Sequence, residues 1–220
     1  MLLKALPGLN EALESFLLLY CALGLVAAAA IPLFWFYVFR IKSWLSGKTS
    51  EVFLEHRRKK KWVDERSGHD CFLLYARSLL ISWINDPRYW TWKCFKETSD
   101  ENIEVAKLIS VLWLEIKGTV SITEFPPGIE YEVLYAVKLR KGAEGWEFPV
   151  RLSLHLLGAE VRRRQVTLLE KTRGEWLELS VGTFTRRDEE TGQVSFAFCQ
   201  LDGHWKSGLV VKGAILRPKD

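Results

Sequence analysis

The chain has 220 residues, 48% of them hydrophobic and 26% charged, with a formal net charge of +4. That length allows one domain of ordinary size plus an appendage, with ample apolar material for a buried core. So small a charge excess gives no ground for nucleic-acid binding, and no internal repeat or low-complexity tract is evident.

After a short N-terminal segment, residues 1–14, the run from Ser15 to Phe39 carries no charged side chain over 25 positions. As a helix rising about 1.5 Å per residue it would span roughly 37 Å, more than a hydrocarbon core of about 30 Å. Tyr20 lies near one end, and Trp35 and Tyr37 near the other, where interfacial aromatics are favoured. Pro32 falls where it would kink the last turns. The expectation is a transmembrane helix over residues 15–39. The rival, a cleaved signal peptide, needs a basic start and a shorter apolar run, whereas Lys4 stands alone ahead of Glu11 and Glu14.

Residues 40–69 read as a basic juxtamembrane linker. Arg40, Lys42 and Lys48 follow the span, and Arg57-Arg58-Lys59-Lys60-Lys61 come just beyond. Only Lys4 and the amino terminus precede it, so the charge bias places the C-terminal part in the cytosol of a single-pass membrane protein. The basic run reads as a solvated stop-transfer face, with attraction to anionic lipid headgroups as the alternative. No Asn-x-Ser/Thr acceptor occurs, and Cys71, Cys94 and Cys199 make an odd, unpatterned set outside the span. Both observations fit reduced thiols in the cytosol.

The pattern then turns to β. Ile81-Ser82-Trp83-Ile84-Asn85-Asp86-Pro87-Arg88-Tyr89-Trp90-Thr91-Trp92 sets three tryptophans and a tyrosine around an Asn-Asp-Pro turn. Pro87 fixes its own φ and pushes Asp86 into an extended conformation, so no helix continues through it. Indole rings beside polar turn groups suit sugars, whose C–H faces stack on aromatics while their hydroxyls need hydrogen-bond partners; core or rim packing is the other reading. A short helix fits residues 101–107. Strand-like segments follow over 111–116, 131–139, 150–156, 164–169, 175–181, 193–201 and 208–216, separated by turn signals such as Pro126-Pro127-Gly128 and Asp202-Gly203. Many short strands with regular turns predict a β-sandwich. Arg162-Arg163-Arg164 reads as an exposed loop or edge strand. Trp92, Trp113, Trp176 and Trp205 fall in or beside strands and are expected in the core.

Chemistry-bearing patterns are sparse. His56, His69, His155 and His204 are scattered without metal-ligand spacing, and no nucleophile elbow, zinc-protease or phosphate-cradling motif is present. An enzyme is not expected, nor a metal or other cofactor.

Several ordered blocks carry a family resemblance. Ala76-Arg77-Ser78-Leu79-Leu80-Ile81-Ser82-Trp83 runs into Pro87-Arg88-Tyr89-Trp90-Thr91-Trp92-Lys93, followed by Asn102-Ile103-Glu104-Val105-Ala106-Lys107-Leu108 and Val111-Leu112-Trp113-Leu114-Glu115-Ile116-Lys117-Gly118. Gly128-Ile129-Glu130-Tyr131-Glu132-Val133 and Gly174-Glu175-Trp176-Leu177-Glu178-Leu179 come next, and the series closes with His204-Trp205-Lys206-Ser207-Gly208-Leu209-Val210-Val211-Lys212-Gly213. Together they resemble the phloem protein 2 family, with its Nictaba-like lectin domain, over residues 70–220. The resemblance implies a jelly-roll-type β-sandwich that binds N-acetylglucosamine oligomers or N-glycan cores through two tryptophans and two glutamates. The tryptophan pattern maps onto Trp83 and Trp90. The glutamate positions map onto Gln193 and Gln200; glutamine keeps an acceptor and adds a donor but loses the charge that strengthens a hydroxyl contact.

The function expected is therefore a carbohydrate-binding module, anchored to a membrane and facing the cytosol. Its expected partners are N-acetylglucosamine-containing glycans or glycoproteins, membrane lipid through the N-terminal helix, and a second copy in a homodimer. The alternative is a protein-interaction or phloem structural module with a degenerate sugar pocket.

Overall fold

The computed structural model describes residues 51–98, 101–156 and 158–219. The expected membrane span, the segment before it and the first part of the linker lie outside the described residues. Among those described, no helix is long and apolar enough to cross a membrane.

Among the described residues, fifteen strands follow in chain order: β1 (Val52–Leu54), β2 (Lys59–Val63), β3 (Asp70–Tyr75), β4 (Leu80–Ile81), β5 (Trp90–Thr98), β6 (Glu101–Leu108), β7 (Ser110–Val111), β8 (Leu114–Ser121), β9 (Glu130–Leu139), β10 (Val150–Leu156), β11 (Arg162–Val166), β12 (Trp176–Thr185), β13 (Gln193–Gln200), β14 (Lys206–Ser207) and β15 (Leu209–Pro218). Two single turns of 3-10 helix, Ala76–Ser78 and Ile122–Glu124, connect strands. An eight-stranded sheet carries β1-β2-β3-β15-β6-β5, with β9 on the other side of β15 and β12 beyond it. A five-stranded sheet runs β11-β10-β13-β8-β4, and β14 pairs β7.

The two large sheets close on one core because their strands alternate. In β8, Leu114, Ile116 and Val120 are buried while Glu115, Lys117 and Thr119 point away. From the larger sheet come Tyr131, Val133, Tyr135, Val137, Leu209 and Val211; from the smaller, Leu152, Leu154, Phe196 and Phe198. The Tyr135 hydroxyl crosses between the layers and donates towards the carbonyls of Ile116 at 3.0 Å and Phe196 at 3.3 Å. A buried phenol needs such partners, and this one ties the sheets at their centre.

Two expectations are corrected. The proposed helix over residues 101–107 is strand β6, paired with β5 and β15. Glu, Ala and Lys favour a helix, but Ile103 and Val105 alternate with Glu104 and Ala106, and tertiary pairing overrides the local preference. The segment read as linker is sheet from residue 52 onward: β1 and β2 form a hairpin, and β2 pairs β3 from Lys59↔Leu74 to Val63↔Asp70. The basic run is consequently a solvated face only at Arg57 and Arg58, which are exposed. Lys59 and Lys60 are buried, Lys59 on Glu124 and Lys60 2.7 Å from Glu51, while Lys61 meets Asp70 at 2.7 Å. Their long stems lie over rings: the Lys59 ammonium is 4.8 Å from the Phe72 centroid and that of Lys60 5.6 Å from the Trp62 centroid. The Arg162–Arg164 run is the expected exposed edge strand, β11.

Candidate functional site

Glu115 on β8 and Cys199 on β13 are directly paired on the outer face of the five-stranded sheet. Beyond them the chain leaves regular structure in three places: after β4, between β7 and β8, and after β13. These exits deliver Ser82 and Trp83, Trp113, and Leu201 to one cleft of about 480 Å³ that also includes Glu115.

The first exit is a rigid loop. The Ser82 amide donates to the Glu115 carbonyl at 3.0 Å, and the Asp86 amide to the Trp83 carbonyl at 3.0 Å. Asp86 accepts from the Arg88 amide at 2.9 Å and from its guanidinium at 2.7 Å. These hydrogen bonds hold the Asp86 carboxyl below the ordinary carboxylate range. Trp83 sits at φ 64°, in the left-handed region that a bulky side chain avoids. Its ring is 56% exposed and leans on Tyr89, with centroids 5.9 Å apart. A strained, exposed indole held by a stiff loop is the kind of outlier that points to function.

The second and third exits are locked together by one cation. Lys206 has no exposed surface, and its ammonium donates to the Leu112 carbonyl at 2.8 Å, the His204 carbonyl at 2.6 Å and Asp202 Oδ1 at 2.9 Å. Three donors meet three acceptors, so the buried charge is fully satisfied. Those carbonyls belong to the residues just before Trp113 and Trp205, which are 58% and 59% exposed. The loop over 140–149 braces the same region: the Trp146 indole donates to the Ser207 carbonyl at 3.0 Å, and a Cβ on Gly145 would come within 1.9 Å of the Trp205 carbonyl.

The four residues expected to bind sugar are not brought together. Trp83 faces the cleft. Trp90 lies beneath the loop, 2% exposed, with its ring N–H donating to the Ser82 carbonyl at 3.0 Å. Its ring neither offers a face nor keeps a free donor, and it fixes the residue before Trp83. Gln200 is 3% exposed, its amide donating to the Phe148 carbonyl at 2.9 Å and to Asp202 at 3.0 Å. Gln193 is exposed at the opposite end of β13, paired with Ser121. Seven strand steps of about 3.3 Å put it roughly 23 Å from Gln200, and the odd step count turns it to the other face.

Trp113 and Glu115 are the residues that the sequence reading missed. Trp113-Leu114-Glu115-Ile116-Lys117 contains the signal: Trp113 shares parity with Glu115 and Lys117, not with buried Leu114 and Ile116. The Glu115 carboxylate is 2.8 Å from the Lys117 ammonium, and that hydrogen bond raises the pKa of Lys117. Two indoles, a carboxylate and a hydroxyl thus share one open cleft, able to stack on an apolar ring face and to accept from or donate to hydroxyls.

Two packed β-sheets with a surface cleft walled by tryptophan define a β-sandwich-like binding module. The chain belongs to the phloem protein 2 family, whose model matches residues 69–218; strands β1 and β2 precede the matched span. It is similar to a lectin of Luffa acutangula, 41% identical over 172 residues that cover 78% of this chain and 81% of that one. It is also similar to Protein PHLOEM PROTEIN 2-LIKE A1 of Arabidopsis thaliana, 40% identical over 174 residues, 77% of this chain and 70% of that one. Among solved structures, a carbohydrate-binding module in complex with β-1,4-galactotriose aligns over 64% of this chain and 87% of its own at 13% identity and a TM-score of 0.35, a likeness too slight to decide anything.

Proposed function

We propose that this chain is a lectin whose sugar seat is the cleft of Ser82, Trp83, Trp113, Glu115 and Leu201. The observation that carries the reading is the pair of half-exposed indoles sharing a cleft with a carboxylate and a hydroxyl. Trp83 and Trp113 stack on the C–H faces of a sugar, Glu115 accepts from a hydroxyl, and Ser82 serves as donor or acceptor. The outward residues of β13 are short (Ser195, Ala197, Cys199), and they run between Glu115 and Lys117 on β8 and Arg151 and His155 on β10. A shallow track therefore leads away from the cleft along β13, which suits an oligosaccharide better than a single ring. The family resemblance favours N-acetylglucosamine oligomers or N-glycan cores on a sandwich of jelly-roll type. The lectin name of the Luffa relative supports sugar binding in general. Residues 15–39 anchor the module to a membrane with the lectin domain in the cytosol.

The test is calorimetry on the full chain in detergent, titrated with chitotriose and with an N-glycan core glycopeptide. Binding that disappears in Trp113→Ala supports the cleft. A folded wild type that binds no glycan on a broad array removes the reading and leaves the protein-interaction module.

A further inference from the structure

The outer face of the eight-stranded sheet carries a second feature, on the far side of the core from the cleft. Register places Trp176, Lys138, Val210, Lys107 and Thr91 in one row across five strands, all on one face. Lys93 lies two residues beyond Thr91 and Arg140 two beyond Lys138. They surround a depression of about 260 Å³ floored by Val105 and Val210 and walled by Trp176. The ammoniums of Lys138 and Lys212 stand 4.5 and 5.8 Å from the Trp176 ring centroid.

Among the described residues, no carboxylate lines this depression, and Lys93, Lys107 and Arg140 have no ion-pair partner. Other exposed cations of the molecule do sit on acids, Arg77 with Glu104, Lys117 with Glu115 and Arg217 with Glu178, whereas here several share one depression without one. Strands lie about 4.8 Å apart, so these like charges sit one or two strand spacings from each other, a separation comparable to a screening length of roughly 8 Å, and repel. Like charges gathered on one face are unfavourable to each other, and an anion relieves them. Several cations around so small an apolar floor call for a compact ligand with several charges and a flat carbon face.

We propose that this depression binds a multiply phosphorylated cyclic polyol, an inositol-phosphate-type ring, either free or as the headgroup of a membrane lipid. Val105, Val210 and Trp176 meet the ring, and Lys93, Lys107, Lys138 and Arg140 take the phosphates. The site is separate from the glycan cleft and does not depend on it.

The test titrates the full chain in detergent with inositol hexakisphosphate and, separately, with a water-soluble short-chain phosphatidylinositol bisphosphate, at physiological salt. Binding is expected to fall at least tenfold in Lys107→Ala and in Arg140→Ala, and to be unchanged in Arg163→Ala and Arg164→Ala on the other sheet. Binding of both ligands marks the headgroup as the source, and binding of the hexakisphosphate alone marks the free polyol. Failure of both ligands to bind overturns the proposal. So does equal weakening by the Arg163 and Arg164 variants, which is general charge attraction. A structured RNA that depends on Lys107 and Arg140 and is not displaced by the hexakisphosphate overturns it as well. Circular dichroism of each variant checks that the fold survives.

Discussion

Trp113 is the side chain on which glycan affinity should turn. Truncating an aromatic anchor costs about 2 kcal/mol or more, roughly a thirtyfold loss, so Trp113→Ala is expected to lose at least that in calorimetry while its melting temperature holds. Trp83 has a further signature, because its left-handed backbone costs about 1–3 kcal/mol. Asparagine tolerates that conformation. Trp83→Asn should therefore abolish binding without lowering thermal stability; a variant destabilised by more than about 2 kcal/mol would show that the ring is structural. Gln200 behaves in the opposite way. Its amide hydrogens face a carbonyl and the Asp202 carboxylate, so a glutamate there adds a buried like charge. Gln200→Glu should lower the urea midpoint and leave sugar affinity no better. Asp202 gives a pH signature. Burial pushes its carboxyl up, but Lys206, the His204 amide and Gln200 outweigh burial and hold it below the ordinary value. A carboxyl depressed in the folded state stabilises fully above its unfolded value of about 4 and loses that contribution as pH falls through the folded one. The stability gap between wild type and Asp202→Asn should be flat near neutrality and close under strong acid.

At the scale of elements, the hairpin β1–β2 extends the sheet beyond the family's matched span. β3 is five-sixths apolar, and without β2 its edge is bare: Cys71, Phe72, Leu73 and Leu74 lose their neighbours. An exposed, apolar edge strand invites association. A fragment beginning at residue 64 should melt lower and form larger species by size exclusion than one beginning at residue 50; identical behaviour would show the hairpin to be dispensable. The hairpin was illegible in the sequence because its turn uses Glu55, His56 and Arg57, all with positive φ, where glycine or asparagine would have announced it. The long strands were legible because they alternate: β10 occupies Val150–Leu156, and β9 starts one residue before the expected Tyr131. The site was half legible. Trp83 stood out beside its turn, whereas Trp113 lies in a two-residue break between β7 and β8 that its apolar neighbours conceal. The burial of Trp90 and Gln200 depends on which loops fold over them, and no local pattern encodes that.

For the whole molecule, the proposed membrane topology would decide which ligands both faces meet. Lys59, Lys60 and Lys61 are engaged in the folded sheet, which would weaken a charge-based orientation only if folding came first. In the proposed topology, insertion would be decided on the nascent chain, before the sheet forms, so these lysines would count together with Arg40, Lys42, Lys48, Arg57 and Arg58, against Lys4 ahead of the apolar run. The three cysteines among the described residues are unpaired, and burial pushes the Cys71 thiol up to about 11, which keeps it protonated and unreactive. The expected outcome is a protein that resists alkaline carbonate extraction and whose C-terminal domain is digested by protease in sealed microsomes without detergent. Replacing Arg40, Lys42 and Lys48 with glutamine, and adding lysines beside Lys4, should protect a measurable fraction of that domain. Release by carbonate would remove the span, and full protection of the unmodified domain would reverse the orientation, turning the cleft towards lumenal glycans.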